Sequence, residues 1–355
     1  MIALIAALFA LAGSSPSSPA AEDPVRELSN TQLAGQRIVT GFTGHSPPAA
    51  LESMIRKGQV AGVVLFTRNF DSASEARSLI DRLRDIRRPR GLRQPLLISV
   101  DQEGGLVKRL PGPPTMSGAE MGAAGGDAAA RQGQRTGRYL RGLGFNVNLA
   151  PVLDLAVPGG NIAATSRGFS GSASGVIDTA LPFGRALERQ GVAATAKHFP
   201  GFGRARQNTD YASQTIDVGR TTLRDQDERP FAAFSREEGD LVMLANAVYP
   251  ALDPRRPASL SRAIASHELR RVAGFGGVSI TDSLDAAGIT SIGSPERVAV
   301  MGVRAGADVL LFSSLASAYR AHEALATDLS KGKLDRERFR TSVERVLALR
   351  ASLRG

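Results

Sequence analysis

A short stretch in the middle of the chain places chemically active residues where a buried strand ends. The apolar run 192–196 leads into Lys197 and His198, and a Pro-Gly turn at 200–201 then opens a polar, Arg-rich loop that reaches Asp210. Polar side chains at such a strand end contribute little to stability and often serve function. We therefore expect a functional site here.

Carboxylates and cations also end other apolar runs. Asp101, Asp154 and Asp282 each end one, Arg109 follows Asp101 closely, and Arg167 lies in the loop beyond Asp154. Taken singly, each carboxylate could cap the following helix or form an ion pair in a loop. Because several strand ends agree, the pattern predicts one charged pocket.

A pocket in which a carboxylate faces Arg and Lys suits a ligand with many hydroxyl groups, since charged partners bind such groups through strong, bidentate hydrogen bonds. Cleaving a glycosidic bond with retention needs a carboxylate nucleophile below the anomeric carbon. It also needs a proton donor to the leaving oxygen. The residue types at these strand ends can supply both.

The elements that position these residues alternate along the chain. Amphipathic segments with helical spacing separate most of the short apolar runs. The runs are 37–42, 62–66, 95–101, 145–154, 192–198, 241–244, 277–282 and 308–312, and the helical segments are 74–88, 127–143, 175–190, 224–237, 295–305 and 335–353. This alternation predicts an α/β fold, a single-domain (β/α)8 TIM-type barrel. A doubly wound open sheet is the alternative, but no glycine-rich phosphate turn follows the first strand.

Composition narrows the function classes. The formal charge of +10 comes mainly from arginines that are spread along the chain, and there is no Trp for base stacking, so solvated helix faces are favoured over nucleic-acid binding. The chain has no Cys, and its four His lack ligand spacing, which argues against thiolate chemistry and a metal site. We expect no cofactor and a carbohydrate as partner.

The first 21 residues have the character of an export signal. An apolar run from Ile2 to Leu11 is too short to span a bilayer, and small residues suited to cleavage follow it up to Ala21. We expect residues 1–21 to be removed, residues 22–355 to form the barrel, and the protein to be exported. Because there is no Cys for a lipid, we expect no stable membrane anchor beyond this signal.

The motifs resemble glycoside hydrolase family 3, specifically its single-domain β-N-acetylglucosaminidases. The resemblance extends over nearly the whole mature chain, and its motifs occur in the family's order. They are the segments 62–69, 101–105, 148–154, 197–201, 257–261, 281–284 and 305–309. The chain stops after one barrel, which favours this branch over the β-glucosidases and β-xylosidases with a second domain.

The resemblance implies roles for the residues above. Asp282 would be the nucleophile that forms a covalent glycosyl-enzyme. A sugar in the −1 subsite would be bound by Asp101, Arg109, Arg167, Lys197 and His198, and Asp154 would support them.

The chain departs from the family at the proton donor. The family's N-acetylglucosaminidases carry His-Gly after the Pro-Gly turn and an Asp-Ser-His dyad in the loop beyond, whose His donates the proton. Here the turn is followed by Phe202-Gly203, and the dyad position reads Asn208-Thr209-Asp210. A further family His, on the sixth-strand segment, is Asn246.

Three explanations compete. Asp210 could act as the acid/base, oriented by Asn208, with a pKa raised by burial or by the charge of Asp282. Phosphate, drawn to the loop of Arg204 and Arg206, or an activated leaving group could make strong acid catalysis unnecessary. The protein could also be an inactive sugar-binding pseudo-hydrolase.

We favour an exported retaining β-glycosidase that acts on terminal β-N-acetylglucosamine in peptidoglycan or chitin fragments. Asp282 would attack and Asp210 would serve as acid/base. The loop 204–208, with no apparent apolar anchor beyond Phe202, would close over the substrate. A β-glucosidase or a phosphorylase-type enzyme of the family is the further alternative.

Overall fold

The computed structural model describes residues 25–353, so the predicted export signal at 1–21 lies outside the described residues. The strands, in chain order, are β1 (Ile38–Thr40), β2 (Gly62–Leu65), β3 (Leu97–Val100), β4 (Gln102–Gly104), β5 (Val107–Lys108), β6 (Val147–Asn148), β7 (Ala193–Phe199), β8 (Leu241–Leu244), β9 (Val248–Tyr249), β10 (Asp253–Pro257), β11 (Val278–Thr281) and β12 (Leu310–Phe312).

Eight of these strands form a parallel barrel, which confirms the predicted fold class. Their order is β11-β8-β7-β6-β3-β2-β1-β12. A bridge between Ile280 and Val309 joins the two end strands. Each of the eight predicted apolar runs overlaps one barrel strand, and only β7 extends beyond its run, by one residue. The remaining strands form two antiparallel hairpins, β4–β5 and β9–β10.

Helices cover the outside of the barrel. They are α1 (Asn30–Gly35), α2 (Ala49–Lys57), α3 (Ala73–Asp85), α4 (Gly118–Ala124), α5 (Gly126–Leu143), α6 (Asn161–Ala164), α7 (Ala173–Glu188), α8 (Arg220–Thr222), α9 (Arg229–Arg236), α10 (Ala287–Thr290), α11 (Pro295–Ala305), α12 (Leu315–Ser330) and α13 (Arg336–Ser352). All six predicted helical segments coincide with helical structure; the additional helices are α2 and α12, which are long, and the short helices α1, α4, α6, α8 and α10. Short 3₁₀ or π turns occur at Thr67–Asn69, Arg90–Leu92, Leu223–Asp227, Ala258–Leu260 and Ala263–Val272.

Alternation along the strands divides the core in two. Every second side chain along a strand points into the barrel, as do Val64, Leu97 and Leu241. The side chains between them point outward and pack under the helices. Leu349 and Leu353, at the end of the last helical segment, pack with the inner set. The apolar interior is therefore closed at the end opposite the polar strand ends.

Within residues 25–353, no helix is long and apolar enough to cross a membrane.

A buried carboxylate supports the closure of the barrel between β11 and β12, in addition to the backbone hydrogen bonds between these segments. Asp308 is fully buried. It accepts hydrogen bonds from the backbone N–H of Ser279 (2.9 Å) and its hydroxyl (3.0 Å), and from the guanidinium of Arg345 (2.8 Å) and that of Arg270. The side chain just before β12 is thus bonded directly to β11.

We predict that Asp308→Ala lowers the free energy of unfolding by about 3 kcal/mol or more, because it leaves two guanidinium groups without their carboxylate. Urea denaturation measures this change. The exposed Asp217 offers a matched control, for which Asp217→Ala should change stability by less than about 0.5 kcal/mol. Similar losses in both variants would contradict this account of barrel closure.

Candidate active site

A polar cavity of about 540 Å³ opens at the C-terminal ends of the barrel strands, which we call the barrel mouth. In barrels of this type the functional site lies at this end. The cavity brings together eight of the nine residues predicted from the sequence, namely Asp101, Arg109, Arg167, Lys197, His198, Asn208, Asp210 and Asp282.

Strand alternation explains why three of these side chains point inward. Leu97 on β3, Ala193 on β7 and Val278 on β11 lie inside the barrel. Asp101, Lys197 and Asp282 each follow at a spacing of four residues and therefore share the inward direction. The inner layer that is apolar lower down becomes charged at the mouth.

Ion pairs centred on Glu103 organise one wall of the cavity. The Nζ of Lys197 lies 2.7 Å from Oε1 of Glu103 and 2.8 Å from Oδ1 of Asp101. The guanidinium of Arg167 donates two hydrogen bonds of 2.8 Å to the two oxygens of Glu103. Arg109 lies 3.7 Å from the other oxygen of Asp101. These contacts fix the charged side chains without a ligand.

The same contacts set the protonation states. Burial by itself raises the pKa of Glu103, but the charges and hydrogen bonds of Arg167 and Lys197 outweigh it and lower the pKa to about 2. Burial lowers the pKa of Lys197, but Asp101 and Glu103 more than offset it and leave the pKa above its ordinary value. Glu103 is therefore ionised and Lys197 protonated at neutral pH.

His198 is held by the ninth predicted residue, Asp154, which is fully buried behind it. Oδ2 of Asp154 lies 2.7 Å from Nδ1 of His198. Its Oδ1 accepts hydrogen bonds from the backbone N–H groups of His198 (3.0 Å) and Phe202 (2.6 Å). One carboxylate thus fixes both the imidazole ring and the start of the loop beyond it.

The carboxylate of Asp282 is half-buried in the cavity wall, and the backbone beside it is fixed. Burial raises its pKa and the charge of Asp210 raises it further, whereas His198, Lys197 and the N–H of Ser283 act in the opposite direction. The N–H of Ser283 donates to Oδ1 of Asp282 (2.7 Å).

The next contact outward from Asp282 involves Asn246. Its Nδ2 donates a hydrogen bond to the carbonyl oxygen of Ser283 (2.7 Å), and its Oδ1 accepts one from the hydroxyl of Ser259 (2.7 Å). Asn246 therefore supports the backbone beside Asp282 and does not line the cavity.

Asn208 and Asp210 form a two-way contact. The Asn208 amide donates to Oδ2 of Asp210 (3.0 Å), and the backbone N–H of Asp210 donates to Oδ1 of Asn208 (3.0 Å). Asn208 thus orients Asp210 without adding charge. Asp210 is exposed at the cavity rim, so the protein itself does not supply the burial that we expected for this carboxyl.

The expectation that the loop 204–208 has no apolar anchor beyond Phe202 is wrong. Ala205 and, just after the loop, Thr209 are each 2% exposed. The carbonyl oxygen of Thr209 accepts from the N–H of Gly288 (3.0 Å), so the loop is docked on the segment that follows Asp282. At Gly203 a Cβ would lie 2.0 Å from the carbonyl oxygen of Leu155, so only glycine permits this packing.

The basic character of this loop has a structural cause. The Nε of Arg204 donates to both oxygens of the buried Asp227, at 3.1 and 3.2 Å, and its Nη2 donates to Gln226 at 2.9 Å. Arg204 is therefore paired with a carboxylate of the protein, which weakens the suggestion that this loop attracts phosphate. Arg206 remains exposed.

The sequence reasoning missed two groups of site residues. Glu103 belongs to the motif at 101–105, but the sequence assigned it no role. It lies only two residues after Asp101 and forms ion pairs with both Lys197 and Arg167. Arg68 and Asp285 also line the cavity. Arg68 lies in the motif at 62–69 and Asp285 just beyond the one at 281–284, so their position after strand ends was the available signal.

The fold and the site together define a class: a (β/α)8 barrel whose mouth holds carboxylates and cations suited to binding and cleaving a carbohydrate. The comparison with known families agrees. The glycosyl hydrolase family 3 N-terminal domain matches residues 25–349. The chain belongs to this family and is a glycoside hydrolase.

Individual relatives refine this assignment. An uncharacterized secreted glycosyl hydrolase from Arthroderma benhamiae is 35% identical over 90% of this chain and 93% of its own length. A β-hexosaminidase from Xanthomonas oryzae pv. oryzae is 35% identical over 77% of this chain and 82% of its own. The structure of a family 3 β-N-acetylglucosaminidase from Paenibacillus sp. superposes with a TM-score of 0.87 at 34% identity, covering 92% of this chain. The chain spans only 64% of that protein.

We predict that Glu103→Gln lowers the free energy of unfolding at neutral pH by about 2 kcal/mol or more, because Arg167 loses its carboxylate and Lys197 one of two. The folded pKa of Glu103 is about 2 and its ordinary value 4.5. The stability from its charge is therefore present above pH 4.5 and is lost as the pH falls toward 2.

Urea denaturation of both proteins at neutral pH, at pH 4.5 and at about pH 3 measures this difference. Glu344→Gln, on an exposed helix position, is the control that should show no such trend. A Glu103→Gln difference that stays constant as the pH falls would contradict the assigned charge.

Proposed function

We propose that this protein is an exported, retaining β-N-acetylglucosaminidase that removes terminal β-linked N-acetylglucosamine from peptidoglycan or chitin fragments. The observation that carries the proposal is the pairing in one cavity of a half-buried, backbone-held carboxylate, Asp282, with an exposed rim carboxylate oriented by an amide, Asp210. Retaining cleavage requires a carboxylate nucleophile and a separate proton donor, and in most glycosidases two carboxyl groups fill these roles.

The different surroundings of the two carboxylates indicate which role each takes. A nucleophile must be held rigidly against the anomeric carbon, and the half-buried Asp282 with its fixed backbone meets this need. A proton donor must reach the leaving oxygen, which lies toward solvent, and Asp210 at the rim meets that need. A bound sugar would also cover Asp210 and exclude water from it.

The proposed reaction has two steps. In the first, an oxygen of Asp282 bonds to the anomeric carbon while the bond to the leaving oxygen breaks and Asp210 transfers its proton to that oxygen. In the second, Asp210 accepts a proton from water, the water oxygen bonds to the anomeric carbon, and Asp282 is released as a carboxylate. Throughout both steps, the hydroxyls of the sugar are held by Lys197, His198, Asp101, Arg109 and Arg167.

The choice of sugar and location rests on the relatives. The Xanthomonas protein is named a β-hexosaminidase and the Paenibacillus protein a β-N-acetylglucosaminidase. The Arthroderma protein is named as secreted, which agrees with an export signal at residues 1–21. A β-glucosidase remains an outcome of the test below.

We predict that Asp282→Asn lowers kcat/KM for p-nitrophenyl N-acetyl-β-glucosaminide by at least about a thousandfold, because no covalent intermediate can form. Residues 22–355 are assayed on this substrate and on the matching β-glucoside. Preference for the glucoside would overturn the proposed sugar. Binding of N-acetylglucosamine without turnover of either substrate would indicate a pseudo-hydrolase.

We predict that Asp210→Ala loses about 10²- to 10⁴-fold in kcat/KM on N,N′-diacetylchitobiose and much less on the nitrophenyl glycoside, whose leaving group needs little protonation. Azide should restore turnover of the nitrophenyl glycoside, because it attacks the glycosyl-enzyme without a general base. Asp217→Ala, on the same exposed segment, is the matched control. Equal losses on both substrates without azide rescue would exclude Asp210 as acid/base.

We predict that Asp210→Asn moves the acidic limb of the kcat/KM profile for the nitrophenyl glycoside to lower pH. This limb follows ionisation of Asp282. Burial is the main cause of the raised pKa of Asp282. The charge of Asp210 raises that pKa further, whereas His198 and Lys197 lower it. Removing that charge lowers the pKa, so the nucleophile stays ionised at lower pH. Asp217→Asn should leave the limb in place, and an unmoved or upward-shifted limb for Asp210→Asn would refute the coupling.

A further inference from the structure

Large apolar side chains that are mostly exposed are few among residues 25–353. They are Leu106 (76%), Tyr211 (82%), Val272 (44%) and Tyr319 (50%). The two most exposed belong to segments that line the cavity: Leu106 precedes Val107 on the hairpin after β3, and Tyr211 follows Asp210. Leu106 and Tyr211 therefore lie next in the chain to residues that line the cavity, although neither lines it itself.

Tyr211 is exposed, but its backbone is held. Its N–H donates to the carbonyl oxygen of Asn208 (3.1 Å), and the carbonyl oxygen of Asp210 accepts from the N–H of Ala287 (3.4 Å). Two residues further on, the hydroxyl of Ser213 donates to the carbonyl oxygen of Gly288 (3.5 Å). The ring therefore projects from a segment docked near the nucleophile.

The position of Tyr211 follows from the role of its neighbour. Asp210 must reach the glycosidic oxygen, which joins the cleaved sugar to the leaving group. The residue next to it on the exposed rim therefore lies on the leaving-group side of the bond. The side chains proposed to bind the cleaved sugar lie deeper in the cavity than Asp210; they are Asp101, Arg109, Arg167 and Lys197. The leaving group therefore meets few of these charged side chains.

We propose that Tyr211 is a binding platform for the sugar ring on the leaving-group side, whose C–H face packs against the phenol ring. A tyrosine supplies a large, rigid contact area at a low cost in conformational entropy, and it suits a partner with both apolar and polar faces. The inference rests on the proposed function and deepens it: the enzyme selects substrates whose leaving group is itself a pyranose.

The platform serves both steps of the reaction. In the first step it holds the leaving sugar so that its oxygen meets Asp210. In the second, a sugar bound on the same ring can replace water as the acceptor, so that a new glycosidic bond forms with the loss of a proton to Asp210. Truncating Tyr211 should therefore weaken cleavage of oligosaccharides and transfer to sugar acceptors together.

The test compares a disaccharide with a substrate that has no leaving sugar. Wild type, Tyr211→Ala, Tyr211→Phe and Tyr319→Ala are assayed on N,N′-diacetylchitobiose and on N-acetyl-β-glucosaminyl fluoride. Tyr211→Ala should lower kcat/KM for the disaccharide by between about threefold and tenfold and leave the fluoride unchanged. Tyr211→Phe should retain the wild-type values, because the ring face remains.

The control and the contrary outcomes are distinct. Tyr319 lies on α12, away from the cavity lining, and Tyr319→Ala should match wild type on both substrates. Equal effects of Tyr211→Ala on both substrates, or no effect on the disaccharide, would overturn the platform. If hydrolysis of the fluoride did not depend on Asp282, the proposed function itself would fail, whatever the result at Tyr211.

Discussion

The site depends on one electrostatic constraint: two cations that lie together at the mouth of the barrel must both be neutralised by carboxylates. Lys197 and Arg167 both point into the same wall, and neither could be buried without a counter-charge. Glu103 lies between them and bonds to both, while Asp101 takes the remaining contact of Lys197. The result is a set of charged donors and acceptors fixed before any sugar arrives. Preorganisation of this kind lowers the cost of ordering side chains on binding.

Around this wall the protein places two carboxylates in opposite environments. Asp282 is half-buried, and Asn246 supports the backbone at Ser283 beside it. Asp210 is exposed, and Asn208 orients it from the same loop. Glycosidases commonly separate the roles of two carboxyl groups by separating their environments. Both asparagines act through neutral hydrogen bonds that add no charge to the cavity.

The barrel was predictable because its signals are local and repeated. Alternation along short apolar runs sets which side chains point inward, and the same alternation carries Asp101, Lys197 and Asp282 into the mouth. Contacts between distant segments were not predictable. From the sequence, Arg204 was interpreted as a free cation, because its partner Asp227 lies 23 positions further along the chain, in a helical turn. Glu103 was overlooked because only the hairpin after β3 turns it back toward Lys197. The helix α12, rich in alanine, gave a weak periodic pattern, and backbone docking of Thr209 on Gly288 leaves no mark in residue types.

The most direct test of the account is the site of covalent attachment. Asp210→Ala treated with a dinitrophenyl N-acetyl-β-glucosaminide should accumulate glycosyl-enzyme, because the leaving group departs without an acid while no general base activates water. After quenching and proteolysis, mass spectrometry should find one sugar on the peptide that contains Asp282, and none when Asp282→Asn is added. A sugar attached to any other residue, or turnover without a covalent intermediate, would contradict the roles assigned to the two carboxylates.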